Sequence, residues 1–323
     1  MRYLCFYLKV LAMKKSILAV ALCALSFSAM SGTKKVMIIG LNGTLPAAID
    51  QGIQNGSFPQ FSSLVKSGSI NWNMTSVADV KNTHNTFSAP NWASLLTGVE
   101  PKHHGIVNND IENPHAVDST FKNYNPKKYP PVMMYMDKIG IESSGYIAWP
   151  VLDQTFGRYF THRATTTDGN DAAIIDKVVA DLPTTSSDFI FIQMSGVENV
   201  GNNHGYGFNT PAYKAAIQYS DNQLKRVLTA LKGRKDFKNE EWLLFVMTDH
   251  GGNANGTSYS NGNLPENFNT FLIVNYIKKG KWQDLPTMNN RSSDASAITP
   301  AVMNFLEFTP DIPFDSQPVA IFN

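Results

Sequence analysis

Lys35-Val36-Met37-Ile38-Ile39-Gly40-Leu41-Asn42-Gly43 is a short apolar run closed by turn residues. Consecutive apolar side chains without polar alternation suit a strand buried on both faces, the pattern of a parallel sheet. Asn42 then stands just past the strand's C-terminal end, the edge along which ligands collect in open α/β sheets. Working outward, the spacing predicts helices over residues 58–66, 131–140, 169–182, 211–232 and 297–308. It predicts strands over 68–77, 145–149, 188–194, 241–247 and 268–276. The longest helix carries Tyr213, Ile217, Leu224, Val227 and Leu231 along one side. Strands alternating with helices define an α/β chain, a mainly parallel sheet with helices on both faces. Neither a repeat nor a low-complexity linker divides it, so residues 32–323 read as one domain.

Of 323 residues, 43% are hydrophobic and 16% charged, with a formal net charge of +1. That is a globular composition with a sizeable core, and no Lys/Arg block offers a nucleic-acid-binding patch. Met13-Lys14-Lys15, the apolar run 17–27 and the small residues Ser28, Ala29, Ser31 and Gly32 read as a signal peptide over 1–31, with Met1 and Met13 both open as its start. The run is too short to span a hydrocarbon core of ~30 Å, so no membrane span is expected once the leader is removed. Export to a periplasm or the exterior follows. Cys5 and Cys23 both lie in the leader, and Ala24-Leu25 after Cys23 argues against lipid attachment. The mature chain is expected to have no disulfide and no thiol chemistry.

Ser88-Ala89-Pro90-Asn91-Trp92-Ala93-Ser94-Leu95-Leu96-Thr97-Gly98 has the grammar of a helix start. Ser88 suits an N-cap, Pro90 the first turn, and Gly98 the end. Trp92, Leu95 and Leu96 make an apolar face. A hydroxyl at a helix N-terminus faces unpaired amides, where a phosphate or sulfate settles and an alkoxide forms more easily. Taken singly, Ser88 is an ordinary cap, Asn42-Gly43 a turn, Glu198 a solvated loop carboxylate, and Asp249-His250-Gly251-Gly252 a polar turn. Taken together, Asn42, Ser88, Glu198, Asp249 and His250 all follow strands or open a helix. A parallel sheet would bring them to one edge, where Asp249 and His250 suit a cation. The stretch 252–267, rich in Gly, Asn and Ser, reads as a surface loop or the rim of that site.

In their order along the chain, Ile39-Gly40-Leu41-Asn42-Gly43, the Ser88 block with His103-His104-Gly105-Ile106-Val107-Asn108-Asn109, Glu198-Asn199-Val200-Gly201-Asn202-Asn203-His204-Gly205 and Thr248-Asp249-His250-Gly251-Gly252 resemble a known family. It is the type I phosphodiesterase/nucleotide pyrophosphatase group of the alkaline phosphatase superfamily. The resemblance implies an alkaline phosphatase-like fold and hydrolysis of phosphate esters at a pair of zinc ions. It implies Ser88 as nucleophile, Asn109 holding a phosphate oxygen, and Asn42, Ser88, Asp249 and His250 at the positions of the nucleophile-side metal. Glu198, Asn202 and Tyr259 fall at the positions of the second.

Three of those positions carry altered ligands. Asn42 stands for an Asp, Asn202 for a His and Tyr259 for a His, while Glu198 lengthens an Asp by one methylene. Amide and phenol oxygens bind zinc poorly, so the second metal is expected to be absent. The first is expected to be one weakly held zinc or other divalent cation, or none. His204 lies near Asn202 but at a position the family does not use. Two functions stay open: an exported phosphoric ester hydrolase working through Ser88 at a single metal, or an impaired relative that binds a small phosphate- or sulfate-containing anion without turnover.

Overall fold

The computed structural model describes residues 33–77, 86–109, 124–166, 170–254, 256–257, 264–288, 293–309 and 313–322. The leader reading and Tyr259 lie outside them. Nine strands form one sheet: β1 (Thr33–Leu41), β2 (Ser69–Thr75), β3 (Ser143–Ile147), β4 (His162–Thr165), β5 (Phe189–Met194), β6 (Glu240–Met247), β7 (Asn269–Lys278), β8 (Lys281–Gln283) and β9 (Ser293–Asp294). Their order is β4-β3-β5-β1-β6-β7-β2-β9, with β8 beside β7. The sheet is mixed and mostly parallel: β4, β3, β5 and β1 run parallel, whereas β7 is antiparallel to β2, β6 and β8. The reversal of β7 departs from a simple βαβ reading. The chain leaves β6 at Met247, which pairs with Leu272, and returns down the neighbouring lane until Lys278 pairs with Glu241.

The helices are α1 (Pro46–Gln54), α2 (Pro59–Lys66), α3 (Ser88–Thr97), α4 (Pro101–His104), α5 (Val132–Lys138), α6 (Pro150–Phe156), α7 (Asp171–Asp181), α8 (Gly196–His204), α9 (Pro211–Lys232), α10 (Pro265–Phe268) and α11 (Ile298–Phe305). They cover both faces. Because side chains alternate along a strand, Val36 and Ile38 join Phe189, Phe191, Leu243 and Phe245 in one core cluster with residues of α3, α5, α6 and α11. Met37 and Ile39 join Ile190, Ile192, Leu244 and Val246 in the other, with α1, α2, α7 and α9. Both sides of the central strands are apolar, so their sequences show no polar alternation. No helix among the described residues is long and apolar enough to cross a membrane.

Two local readings are corrected. Phe87, extended at φ −108° and ψ 148°, takes the N-cap position, and Ser88 is the first helical residue with no capping bond. All ten residues of α3 are buried, so the helix is central and has no solvent face. Ser195 to Glu198 does not form a solvated loop. It opens α8, and Glu198 is buried on the first turn.

Candidate functional site

The end of β1 is organised by glycines. A Cβ on Gly40 would lie 2.2 Å from the Trp92 ring, so only glycine lets that indole lie against the strand. From there Trp92 Nε1 donates to Asn42 Oδ1 at 3.1 Å. This fixes the amide's direction, and Asn42 Nδ2 donates to Glu198 Oε2 in a very short contact. Gly43 turns the chain at φ +62°. A Cβ there would sit 2.9 Å from Glu198 Cβ, so the stem of Glu198 lies across this turn. The Gly43 amide donates to Asp249 Oδ1 at 3.1 Å, tying the β1 turn to the β6 turn. Tyr213 on α9 clamps the same backbone, accepting from the Leu45 amide at 2.9 Å and donating to the Gly43 carbonyl at 2.8 Å.

Ser88, buried on α3, reaches the same group. Its Oγ lies 3.0 Å from His250 Nε2. The next amide, of Ala89, donates to Asn109 Oδ1 at 2.9 Å, which brings Asn109 to the start of α3. The segment returning from α3 to Asn109 is held by His104. The Ile106 amide donates to its Nδ1 at 3.0 Å, so the ring proton is on Nε2 and is shared with Ser94 Oγ at 2.9 Å. Burial drives His104 down to about 3, and the ring stays neutral.

Asp249 and His250 follow β6 and are sealed from solvent. His250 Nδ1 lies 2.7 Å from the Gly251 carbonyl, an oxygen that only accepts, so Nδ1 carries a proton and Nε2 is turned to Ser88. Around Nε2 stand Ser88 Oγ, Glu198 Oε1 at 3.4 Å and Asp249 Oδ2 at 3.5 Å. Burial opposes a charged ring, but the two carboxylates outweigh it and hold His250 above the ordinary imidazole value. Burial likewise pushes Asp249 up, against the pull of His250. Asp249 Oδ2 is buried and makes no hydrogen bond, and its ion-pair partner is the His250 ring at 3.5 Å.

The far side of the turn differs. Asp171, on α7, accepts from the amides of Ser195 and Gly196, each at 2.8 Å, and so anchors the start of α8. Glu198 is on that first turn, but Asn202 and His204 are exposed on the last. Asn202 Oδ1 accepts from Tyr206 Oη at 2.9 Å. The buried Tyr206 ring fills the space between two glycines: a Cβ on Gly201 or on Gly252 would lie 2.5 or 2.2 Å from it. The position where the resemblance implies a histidine ligand therefore hydrogen-bonds a phenol.

Among the described residues no three His, Cys, Asp or Glu side chains are already disposed as a metal site. The contact set around His250 Nε2 is one that a proton also satisfies. By donor type alone, an imidazole, two carboxylates and a hydroxyl are groups that one divalent cation takes, although these side chains are not disposed as a site for it. They do not fit a second, since Asn202 is engaged and Tyr206 occupies the adjoining space.

Asn42, Ser88, Asn109, Glu198, Asp249 and His250 thus meet, as convergence along one sheet edge requires. Asn42 does so as a hydrogen-bonding side chain rather than as an oxygen turned toward Asp249. Sequence reading missed Tyr206 and Asp171, and gave Trp92 an apolar role only. Gly40, Gly201 and Gly252 were the available signals, each sparing room for an aromatic ring.

The model of one family, type I phosphodiesterase / nucleotide pyrophosphatase, matches residues 36–299. A murine ectonucleotide pyrophosphatase / phosphodiesterase 5, in an inactive form in complex with AMP, superposes with a TM-score of 0.64 at 14% identity, over 88% of this chain and 97% of that one. A 2-O GAG sulfatase gives 0.63 at 14% identity over 89% and 73% of the two chains. The phosphonate monoester hydrolase of Agrobacterium radiobacter gives 0.60 at 12% identity over 89% and 76%. At such identities the likeness is one of fold. No curated protein matches the sequence.

Proposed function

The chain belongs to the type I phosphodiesterase / nucleotide pyrophosphatase family, and on that premise we propose that it is an exported phosphoric ester hydrolase with Ser88 as nucleophile and a single-cation site. The observation that carries this reading is the approach of Ser88 Oγ to His250 Nε2 at 3.0 Å, with Asn109 drawn to the adjacent amide. Ser88, at the start of α3, meets the positive end of the helix dipole, which favours both an anionic substrate and a developing alkoxide.

In the reaction, Ser88 Oγ attacks phosphorus, the bond to the leaving alcohol breaks, and a seryl phosphoester forms that water then hydrolyses. Asn109 accepts from the Ala89 amide, which brings it beside Ser88, where it would hold a phosphoryl oxygen. Asp249, His250 and Glu198 would hold the cation, whose chemistry when bound is to lower the pKa of the nucleophile and offset phosphoryl charge. AMP in one neighbour and the sulfatase description of another support a small phosphate- or sulfate-bearing ligand.

The blocked second half-site favours one other reading, a family member that binds such an anion without turning it over. Turnover of a chromogenic phosphodiester by the purified protein, with and without zinc, separates the two. Zinc-dependent turnover that falls by about a thousandfold or more in Ser88→Ala is the expected result. Equal rates in the two proteins would remove Ser88 from the chemistry. Saturable binding of the diester with no turnover at any zinc concentration would establish the binder.

A further inference from the structure

We propose that the exposed lysines at the end of the sheet opposite the Asp249–His250 turn form a docking surface for an anionic lipid bilayer. The inference goes beyond the hydrolase reading and does not depend on what the Ser88 group does.

Folding assembles this surface from two segments distant along the chain. β6 begins at Glu240, directly after the end of α9 and a single 3-10 turn at Phe237–Asn239. β7 returns along it until Lys278 pairs with Glu241, then turns into β8 with Lys281 opposite Lys278. The tip of this hairpin rests on the 3-10 turn: a Cβ on Gly280 would lie 3.2 Å from Lys238 Cγ and 3.7 Å from the Phe237 ring. Lys232, the last residue of α9, places Nζ 5.5 Å from the centre of the Trp282 ring on β8. Because the basic residues are split between 232–238 and 278–281, neither stretch alone reads as a basic block.

Lys232, Lys235, Lys238, Lys278, Lys279 and Lys281 are all exposed there. Acids of the same segments offset only part of that charge. Glu240 is buried and held by Arg234 at 2.9 and 2.7 Å, and Glu241 pairs with Lys278 at 2.8 Å. Exposed Asp236 lies 3.9 Å from Lys235, and exposed Asp284 follows β8. Among the described residues no carboxylate stands within 4.0 Å of Lys232, Lys238, Lys279 or Lys281. In a chain whose formal net charge is only +1, these uncompensated ammonium groups are a local concentration.

Lys279 shows the charge standing against local backbone preference. It holds φ +53° and Gly280 holds φ +71°, the two left-handed positions of a two-residue hairpin turn. Asn-Gly is the favoured pair in that turn, and a lysine at its first position is strained.

Ammonium groups alone suit a bilayer better than a nucleic-acid chain. Arg234 is the arginine of these segments, and it is buried on Glu240, so it offers no planar fork for bidentate phosphate contacts. Lys232 lies over the Trp282 ring, which withdraws that face from base stacking. A half-buried indole rimmed by lysines instead matches a headgroup layer, where indoles settle and each lysine is drawn by the surface potential. Asp249 is a β6 length away, roughly 25 Å, so docking by this end leaves the Ser88 group clear of the bilayer.

Co-sedimentation of the purified protein with vesicles tests the proposal, comparing phosphatidylcholine alone with an equal mixture of phosphatidylcholine and phosphatidylglycerol. Tighter binding to the mixed vesicles is expected, weakening by about tenfold or more as salt rises from about 50 to about 300 mM. Lys238→Gln and Lys281→Gln should each weaken it by about fivefold. Lys279→Asn removes a charge but suits the turn better, so it should lose about fivefold in binding with an unchanged or higher melting temperature. The three together should lose about a hundredfold, with thermal melts checking that the variants are folded. Because vesicle binding is the readout, an absence of hydrolytic activity would bear on Ser88 alone. Equal binding to the two vesicle types, or wild-type binding by the triple variant, overturns the proposal. So does tighter binding to a single-stranded oligonucleotide than to the mixed vesicles, which would assign the surface to a nucleic-acid chain.

Discussion

On one side of the Asp249–His250 turn, the aspartate expected at position 42 is replaced by an amide, yet the surrounding charge is kept. Glu198 reaches in, Asn42 and Gly43 hold it, and Asp249 Oδ2 makes no hydrogen bond. On the other side, where Asn202 replaces a histidine, the space is packed with the Tyr206 ring and the amide is satisfied by its hydroxyl. The first side keeps two buried carboxylates beside His250. On the second, a buried ring fills the space between two glycines while Asn202 itself is exposed. A substituted ligand position thus says little until one knows what its neighbours did with the space and the charge.

That contrast can be broken most sharply at Tyr206. If the ring is packing rather than a site feature, Tyr206→Ala leaves a cavity between Gly201 and Gly252 and costs about 4 kcal/mol, as loss of a large buried aromatic does. Urea denaturation checks this, and a cost under 1 kcal/mol would mean that the second side is not a closed interior. The first side is probed next by Gly40→Ala. The new methyl meets the Trp92 ring at 2.2 Å, so overpacking should cost up to about 3 kcal/mol and release Asn42. Zinc affinity measured alongside stability should fall with it.

A pH series sharpens the same half through His104, which ties α3 to the Asn109 segment. Its folded pKa is depressed to about 3, so the unfolded chain takes a proton first as pH falls. Its contribution is therefore complete above about pH 6.5 and is lost progressively toward pH 3, by about 2 kcal/mol at pH 5. Denaturation of the wild type and His104→Gln between pH 5 and 8 should show this loss in the wild type only. The smallest effect is expected for Asn202→His. With Tyr206 in place it should change stability by less than about 0.5 kcal/mol, and elemental analysis should find no second ion.

Much of this was legible along the chain. The apolar strands β1, β5 and β6 and the long helix α9 were, because each repeats one simple pattern over its whole length. The approach of Asn42, Ser88, Glu198, Asp249 and His250 was legible too, since each follows a strand or opens a helix at one edge of a sheet. The short elements β4, β8, β9, α1, α4 and α6 were not, being too brief to show a period. The burial of Glu198 was also out of reach, because Ser195-Gly196 reads as a loop until Asp171, far away in sequence, caps it.

The sequence by itself determined which chemical groups are present and which are missing: a serine at a helix start, an Asp-His pair after a strand, and amides where acids or imidazoles are implied. Those are covalent facts, and folding cannot change them. Only the tertiary structure decided what the replacements do. Whether Asn42 ligates or clamps depends on which way Trp92 turns its amide, and whether the second half-site is open depends on Tyr206 packing against two glycines. Orientation and filled volume are set by residues distant in sequence, so no local pattern could carry them.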